Sequence, residues 1–187
     1  MGRLRSALCS LTRPVAASLA AITLTAGCGL LGGPKTVSEN VPDIMTVTSP
    51  VFNRSVIGAA YTCHGRGKSP AIRWSGAPPR TKALALVADD AAAPINPFIY
   101  WIVFNIGPQT TGIQDGQIPP GARQASNSTG KPGYDPPCPA KPGHVYRFTV
   151  YALSSPLKLP AGASAKTAWL AIARTAIARG RLTAKSN

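Results

Sequence analysis

The stretch ALALVADDAAAPINPFIYWIVFNIG, from Ala83 to Gly107, decides the fold, because it holds two apolar runs joined by an acidic pair and a proline-containing loop. Ala83–Val87 predicts a buried strand that stops at Asp89-Asp90. Ile99–Ile106 has the β-branched and aromatic composition of a central strand. The loop Ala91–Phe98 has two prolines and no charge, which predicts a fixed crossing between the strands. Polar residues at the end of such a strand often line a site, so the two aspartates are candidate site residues.

The rest of the chain also favours short strands, since 18 glycines and 19 prolines among 187 residues make it dense in turns. Met45–Phe52 and Ala71–Ser75 alternate as strands do, and Val145–Leu153 is the clearest strand pattern. The long segment Gln109–Pro142 has little apolar pattern, and one short strand is expected near Ala122–Ser126. The sequence therefore predicts a mainly β domain.

One helix is predicted, over Ala163–Arg179, with Ser164 as its cap and Gly180 as its stop. Arg174 and Arg179 near its end suit the helix dipole. A helix lying on a membrane surface is the alternative, but alanine on most faces favours packing against a sheet. The predicted apolar face consists of Ala165, Trp169, Ile172 and Ala176.

The first 27 residues have the layout of an export signal: three arginines, the apolar run Val15–Leu24, and small residues before Cys28. Leu24-Thr25-Ala26-Gly27-Cys28 resembles the bacterial lipobox, in which the chain is cut before the cysteine and the thiol is lipidated. Thr25 departs from that motif, which usually has an aliphatic residue there. The alternative is a transmembrane anchor over Pro14–Leu31, but this run is weak against the roughly 20 apolar residues that a bilayer needs.

The expected organisation is a signal peptide over residues 1–27, a flexible tether over 28–43 and one domain over 44–187. Diacylglyceryl and palmitoyl chains on Cys28 would hold the domain at the cell membrane, because two or more acyl chains anchor stably where one does not. We therefore expect a lipid-anchored protein on the extracytoplasmic face.

Two cysteines, Cys63 and Cys138, remain after the leader and Cys28 are set aside, so they allow a single disulfide. A bond closing so long a loop stabilises by roughly 4 to 5 kcal/mol on the chain-entropy model. A metal site with His64 and His144 is the alternative. We expect no metal, because no Cys-x-x-Cys pair is present and adjacent Cys and His side chains diverge in an extended chain.

The formal charge is +14, and it is +11 without the three arginines of the leader, from 17 basic and 6 acidic residues. The basic residues are spread evenly, which is typical of a solvated surface, and the net charge also favours an anionic surface such as lipid headgroups. Nucleic acid is not an expected partner, since no nucleic-acid-binding motif is visible.

Several motifs occur in one order: MTVTSPVF, YTCHGRGKSPAIRWSGAP, ALALVADDAAAP, YWIVFNI, GARQASNSTGKPGY, PPCP and GHVYRFTVYAL. Together they resemble the bacterial Raf-kinase-inhibitor-like branch of the phosphatidylethanolamine-binding protein family. The resemblance implies an antiparallel β-sandwich with a C-terminal helix beside a small anion-binding pocket. Our first hypothesis is a non-catalytic binding module, and we expect no cofactor.

The pocket residues that the resemblance implies are only partly kept in this chain. Ala92 stands where the family has a second aspartate, and Tyr100 stands where it has a histidine, which replaces a switchable cation with a neutral donor. The expected ligand-binding residues are Asp90, Pro94, Tyr100, His144 and Tyr146, with a small anion or a lipid headgroup as ligand.

Two other functions remain open at this stage. A surface-mediated inhibitor or scaffold for an envelope protein, with a vestigial pocket, would use the basic surface. An enzyme with His144 as base is disfavoured, because the chain lacks Gly-x-Ser-x-Gly and has only two histidines.

Overall fold

A computed structural model describes residues 41–52, 54–90, 97–138 and 144–186. The signal peptide and most of the tether lie outside this range, as do Pro94 and most of the loop over 91–98. The described strands are β1 (Thr46–Thr48), β2 (Val56–Ile57), β3 (Ile72–Ser75), β4 (Ala83–Asp90), β5 (Ile99–Ile106), β6 (Gly112–Ile113), β7 (Arg123–Gln124), β8 (Val145–Leu153) and β9 (Ala176–Ser186), with helix α1 over Ala165–Thr175.

The strands form two sheets, as the mainly β prediction requires. The larger sheet has the order β2-β9-β8-β4-β5-β7, and the smaller has the order β1-β3-β6. All pairings between these strands are antiparallel except β2 with β9, which is parallel over Val56 and Ile57. The sandwich and the helix are confirmed.

Strand β4 is buried along all eight residues because it is covered on both faces. Leu84 and Leu86 face the smaller sheet and pack in one core with Trp74 and Phe148. The alternate residues, such as Val87, face helix α1 in a second core. The predicted end of this strand was too early, since pairing with β8 continues through Asp90.

Helix α1 is shorter than predicted. Ser164 caps it as expected, accepting a hydrogen bond from the Thr167 N–H at 3.2 Å, and Ala168 and Ile172 are its buried residues. The helix ends at Thr175, so Ala176 and Arg179 lie in β9 and not in the helix. Among the described residues, no helix is long and apolar enough to cross a membrane.

Gly180 was wrongly predicted as a helix stop, because it lies within β9 opposite Val150. A side chain there would collide with the Met45 backbone, so glycine permits a close approach of the chain. The N-terminal end of the described chain is fixed at the same place. The Arg179 N–H donates to the Pro42 carbonyl at 2.9 Å, and the Arg179 guanidinium lies 3.4 Å from the Asp43 carboxylate.

Candidate functional site

The candidate site lies where β4 ends and β8 begins. The register of these strands places Asp90 directly opposite Tyr146, and His144 immediately precedes β8. Backbone bonds fix the neighbouring ends, since the Asp90 N–H donates to the Phe98 carbonyl at 3.0 Å. Residues that are more than fifty positions apart in sequence are thus brought together by strand pairing alone.

The last residue of β9, Ser186, holds His144 through two hydrogen bonds. The backbone N–H of His144 donates to the Ser186 hydroxyl at 3.0 Å, and the Ser186 N–H donates to the His144 carbonyl at 2.9 Å. These bonds position the imidazole, whose Nδ1 lies 3.4 Å from an Asp90 carboxylate oxygen. The His144 side chain is 37% exposed and that of Asp90 is 11% exposed, so a solvent-accessible imidazole lies beside a mostly buried carboxylate.

Three aromatic rings complete the site. The His144 ring stacks on Tyr146 with ring centroids 5.4 Å apart. Tyr100 meets Tyr146 edge to face at 5.6 Å, and Phe98 lies 4.8 Å from Tyr100. The structure therefore brings together Asp90, Tyr100, His144 and Tyr146 from the predicted set, whereas Pro94 lies outside the described residues.

Both tyrosines of the site remain protonated at neutral pH. Burial raises the pKa of Tyr100, and the nearby Asp90 carboxylate raises it further. Burial and Asp90 also raise the pKa of Tyr146, while the Ser186 hydroxyl lowers it. The two phenols therefore act as neutral hydrogen-bond donors.

Two polar atoms of the site, Tyr146 Oη and His144 Nδ1, are buried and make no hydrogen bond of normal geometry in the described part of the chain, although the Ser186 hydroxyl lies near the phenol. The 3.4 Å between His144 Nδ1 and Asp90 is long for a hydrogen bond between nitrogen and oxygen. Buried polar groups are nearly always satisfied, so such atoms call for a bound molecule or water.

Cys63 and Cys138 form a disulfide, with Cα atoms 5.2 Å apart. The chain turns at Cys63 and His64, so the divergence of side chains in an extended chain does not apply here. The ligand-type atoms of the three exposed residues all lie within 4.8 Å of one another. In the disulfide, however, the sulfur atoms are not thiolates, which are the form that binds metals.

Comparison with known proteins agrees with this architecture. Residues 47–187 match the family model described as "Phosphatidylethanolamine-binding protein". The chain is 38% identical over 184 residues to a Mycobacterium tuberculosis protein named "Putative lipoprotein LppC", covering 89% of this chain and 91% of that protein.

Two further proteins are similar to the domain. A UPF0098 protein of Methanothermobacter thermautotrophicus is 40% identical over 126 residues, covering 64% of this chain and 83% of that protein. The crystal structure of Escherichia coli YbcL, described as a new member of the mammalian PEBP family, has a TM-score of 0.70 at 26% identity. It covers 77% of this chain and 98% of YbcL.

Proposed function

The chain belongs to the phosphatidylethanolamine-binding protein family, and we propose that it is a membrane-anchored extracytoplasmic lipoprotein whose pocket binds a small anion or a phospholipid headgroup without catalysis. The observation that carries the binding proposal is the pair of unsatisfied buried atoms, Tyr146 Oη and His144 Nδ1, beside Asp90. A ligand with oxygen acceptors would satisfy the phenol.

A zwitterionic headgroup such as phosphoethanolamine matches the mixed chemistry of the site. Its phosphate oxygens accept from the phenols of Tyr100 and Tyr146 and from an N–H of the His144 imidazole. Its ammonium group is attracted by the Asp90 carboxylate and by the faces of the aromatic rings. A simple anion uses only the first of these interactions, so we expect it to bind more weakly.

The arrangement around His144 supports binding and not hydrolysis. A serine nucleophile needs a hydrogen bond from its hydroxyl to the imidazole. Among the described residues, Ser186 bonds to the backbone of His144: its hydroxyl accepts from the His144 N–H, and its own N–H donates to the His144 carbonyl. The hydroxyl thus positions the backbone of His144, and the imidazole faces Asp90.

Calorimetric titration with phosphoethanolamine, phosphate and acetate tests the binding proposal. We expect saturable binding, strongest for phosphoethanolamine, and a loss of about tenfold in affinity for His144→Ala or Tyr146→Phe, since each removes one polar contact. The matched control is His64→Ala, which removes the other histidine, an exposed residue beside the disulfide. Absence of saturable binding, or equal affinities in all variants, contradicts the proposal.

The anchor proposal is supported by the lipobox-like residues before Cys28 and by the relative named as a lipoprotein. Residues 41–187 are 147 of 187 residues, so an alignment covering 89% of the chain extends into the N-terminal segment. We expect Cys28→Ala to abolish incorporation of labelled palmitate in a bacterial host and to leave the domain folded. Palmitate label retained by the Cys28→Ala chain would contradict the proposal that this cysteine carries the lipid. Cys9→Ala is the matched control and should keep the label.

A further inference from the structure

A second cavity, of about 340 Å³, adjoins the site just described but includes none of Asp90, Tyr100, His144 or Tyr146. Its floor is formed by strands β5 and β7 and by the segment that follows β7. Its walls are the loop after Cys63 and the turn after Asp115. The residues that define it are Gly67, Lys68, Trp101, Gly116, Gln124 and Tyr134.

Gln124 presents a hydrogen-bond donor to this cavity. Its Oε1 accepts from the Trp101 indole N–H at 2.6 Å. Because an indole nitrogen only donates, the amide oxygen must face Trp101, and Nε2 is the other end of the amide. A Cβ added to Gly133 would lie 3.9 Å from this Nε2, so the glycine leaves the amide uncovered.

The walls of the cavity are held by bonds that do not involve the candidate headgroup site. The disulfide between Cys63 and Cys138 ties the loop that carries Lys68 to the segment following β7. The Gly116 N–H donates to the Ser69 carbonyl at 2.9 Å, and the Lys68 N–H donates to the Ala60 carbonyl at 3.3 Å. The cavity is therefore formed before any ligand binds.

Lys68 supplies a positive charge at the rim. Its aliphatic stem lies over Gly116, where an added Cβ would be 3.8 Å from Lys68 Cδ. No carboxylate is among the cavity-lining residues in the described chain. The neighbouring Asp115 is occupied elsewhere, accepting from the Ala71 N–H at 2.8 Å and from the Tyr61 hydroxyl at 2.9 Å.

The floor adds an aromatic pair to these donors, in which Trp101 is buried and Tyr134 is partly exposed. Tyr134 packs edge to face on Trp101 with ring centroids 5.6 Å apart, and its hydroxyl donates to the Tyr61 carbonyl at 2.7 Å. Pockets for small molecules combine such an aromatic surface with a few fixed polar groups. We propose that this cavity binds a small organic anion, with its acidic group between Lys68 and Gln124 and its apolar part against Tyr134.

Nuclear magnetic resonance titration of the domain with benzoate and phenyl phosphate tests the proposal. We expect saturable shifts of the Trp101 indole and Gln124 amide signals, with the same affinities in the His144→Ala chain. Gln124→Glu keeps an acceptor for Trp101 but adds a negative charge, so it should weaken benzoate binding by tenfold or more. Lys68→Met keeps the aliphatic stem but removes the charge, so it should weaken benzoate binding by about threefold to tenfold. Lys82→Met, at a residue outside the cavity, should leave benzoate affinity unchanged.

Three results would overturn the proposal. One is the absence of saturable shifts at Trp101 and Gln124 with either probe. Another is a response that disappears in His144→Ala, which would place the anion only in the first site. The third is an unchanged affinity for benzoate in both Gln124→Glu and Lys68→Glu. The second variant reverses a charge at an exposed residue, so we expect it to fold even if the Gln124 variant does not.

Discussion

Asp89 and Asp90 are neighbours in sequence, and the strand sends them to opposite faces of the large sheet. Asp89 lies opposite Arg147 in the β4–β8 register and accepts two hydrogen bonds from its guanidinium, one of them at 2.9 Å from Nε. Asp90 lies opposite Tyr146 and is 3.4 Å from the His144 imidazole. One carboxylate is held in a closed pair, and the other lies beside a partly exposed imidazole.

This difference separates a structural carboxylate from a ligand-binding one. Burial raises the pKa of Asp89, and the hydrogen bonds from Arg147 act against that shift. Both oxygens of Asp89 are engaged with a planar, bidentate donor, so a ligand has nothing to add there. At Asp90 the nearby Tyr146 Oη and His144 Nδ1 are buried without hydrogen-bond partners among the described residues. The candidate binding face is thus distinguished by polar atoms around Asp90 that lack a good hydrogen bond, together with a carboxylate that no guanidinium of the described residues holds through both oxygens.

The largest expected effect comes from breaking the closed pair. Asp89→Ala leaves the Arg147 guanidinium, which is 28% exposed, without its partner in a mostly buried place. We expect a loss of about 3 kcal/mol in the free energy of unfolding, because removing one member of a buried pair leaves an uncompensated charge. Urea denaturation followed by circular dichroism measures this loss.

The matched control for that experiment is Asp90→Ala in the same chain. We expect it to cost less than about 1 kcal/mol, since a partly exposed pair at 3.4 Å contributes little to stability. It should nevertheless reduce phosphoethanolamine affinity. Equal destabilisation by both substitutions would remove the distinction between the two carboxylates.

The sequence predicted the central strands well, because their pattern follows directly from burial. Strand β5 has the predicted bounds Ile99–Ile106, and β8 has the predicted bounds Val145–Leu153. Strand β9 was missed, because alanine and arginine over residues 176–181 are good helix formers. Gly180 looks like a helix stop in the sequence. The structure shows instead that glycine is required there because the Met45 backbone lies against it.

Apart from the two aspartates at the end of a predicted strand, the residues of the candidate site were accessible from sequence only through family resemblance. Asp90 and His144 are far apart along the chain, and no local pattern shows that strand pairing brings them together. The resemblance named the residues, but the unsatisfied Tyr146 hydroxyl is a property of packing. Trp101 and Gln124 lie within the motifs YWIVFNI and GARQASNSTGKPGY. Nothing in those motifs indicated that the two side chains bond to each other at one cavity, so the second cavity was not predicted from the sequence.

A smaller effect is expected at alkaline pH, where the ionisation of the tyrosines on the two faces of the sheet can be compared. Burial raises the pKa of Tyr151 to about 12, with a further contribution from Asp89, whereas the pKa of Tyr146 is raised by burial and by Asp90. Below pH about 10 the folded and unfolded chains are both protonated at tyrosine, so these shifts do not change stability with pH. Above it the unfolded chain loses protons first, and the folded state is destabilised progressively towards the pKa of the folded protein.

We therefore expect the folded protein to show little tyrosinate absorbance at pH about 10, where tyrosines in unfolded peptides are half ionised. The free energy of unfolding should fall as the pH rises further. Ring resonances of labelled tyrosine separate the two faces. In the Asp90→Ala chain the titration of Tyr146 should begin at lower pH, because a nearby negative charge is removed, while that of Tyr151 stays in place. If Tyr151 moved and Tyr146 did not, the carboxylates would act across the sheet and not along its faces, and the division between a closed pair and an open site would fail.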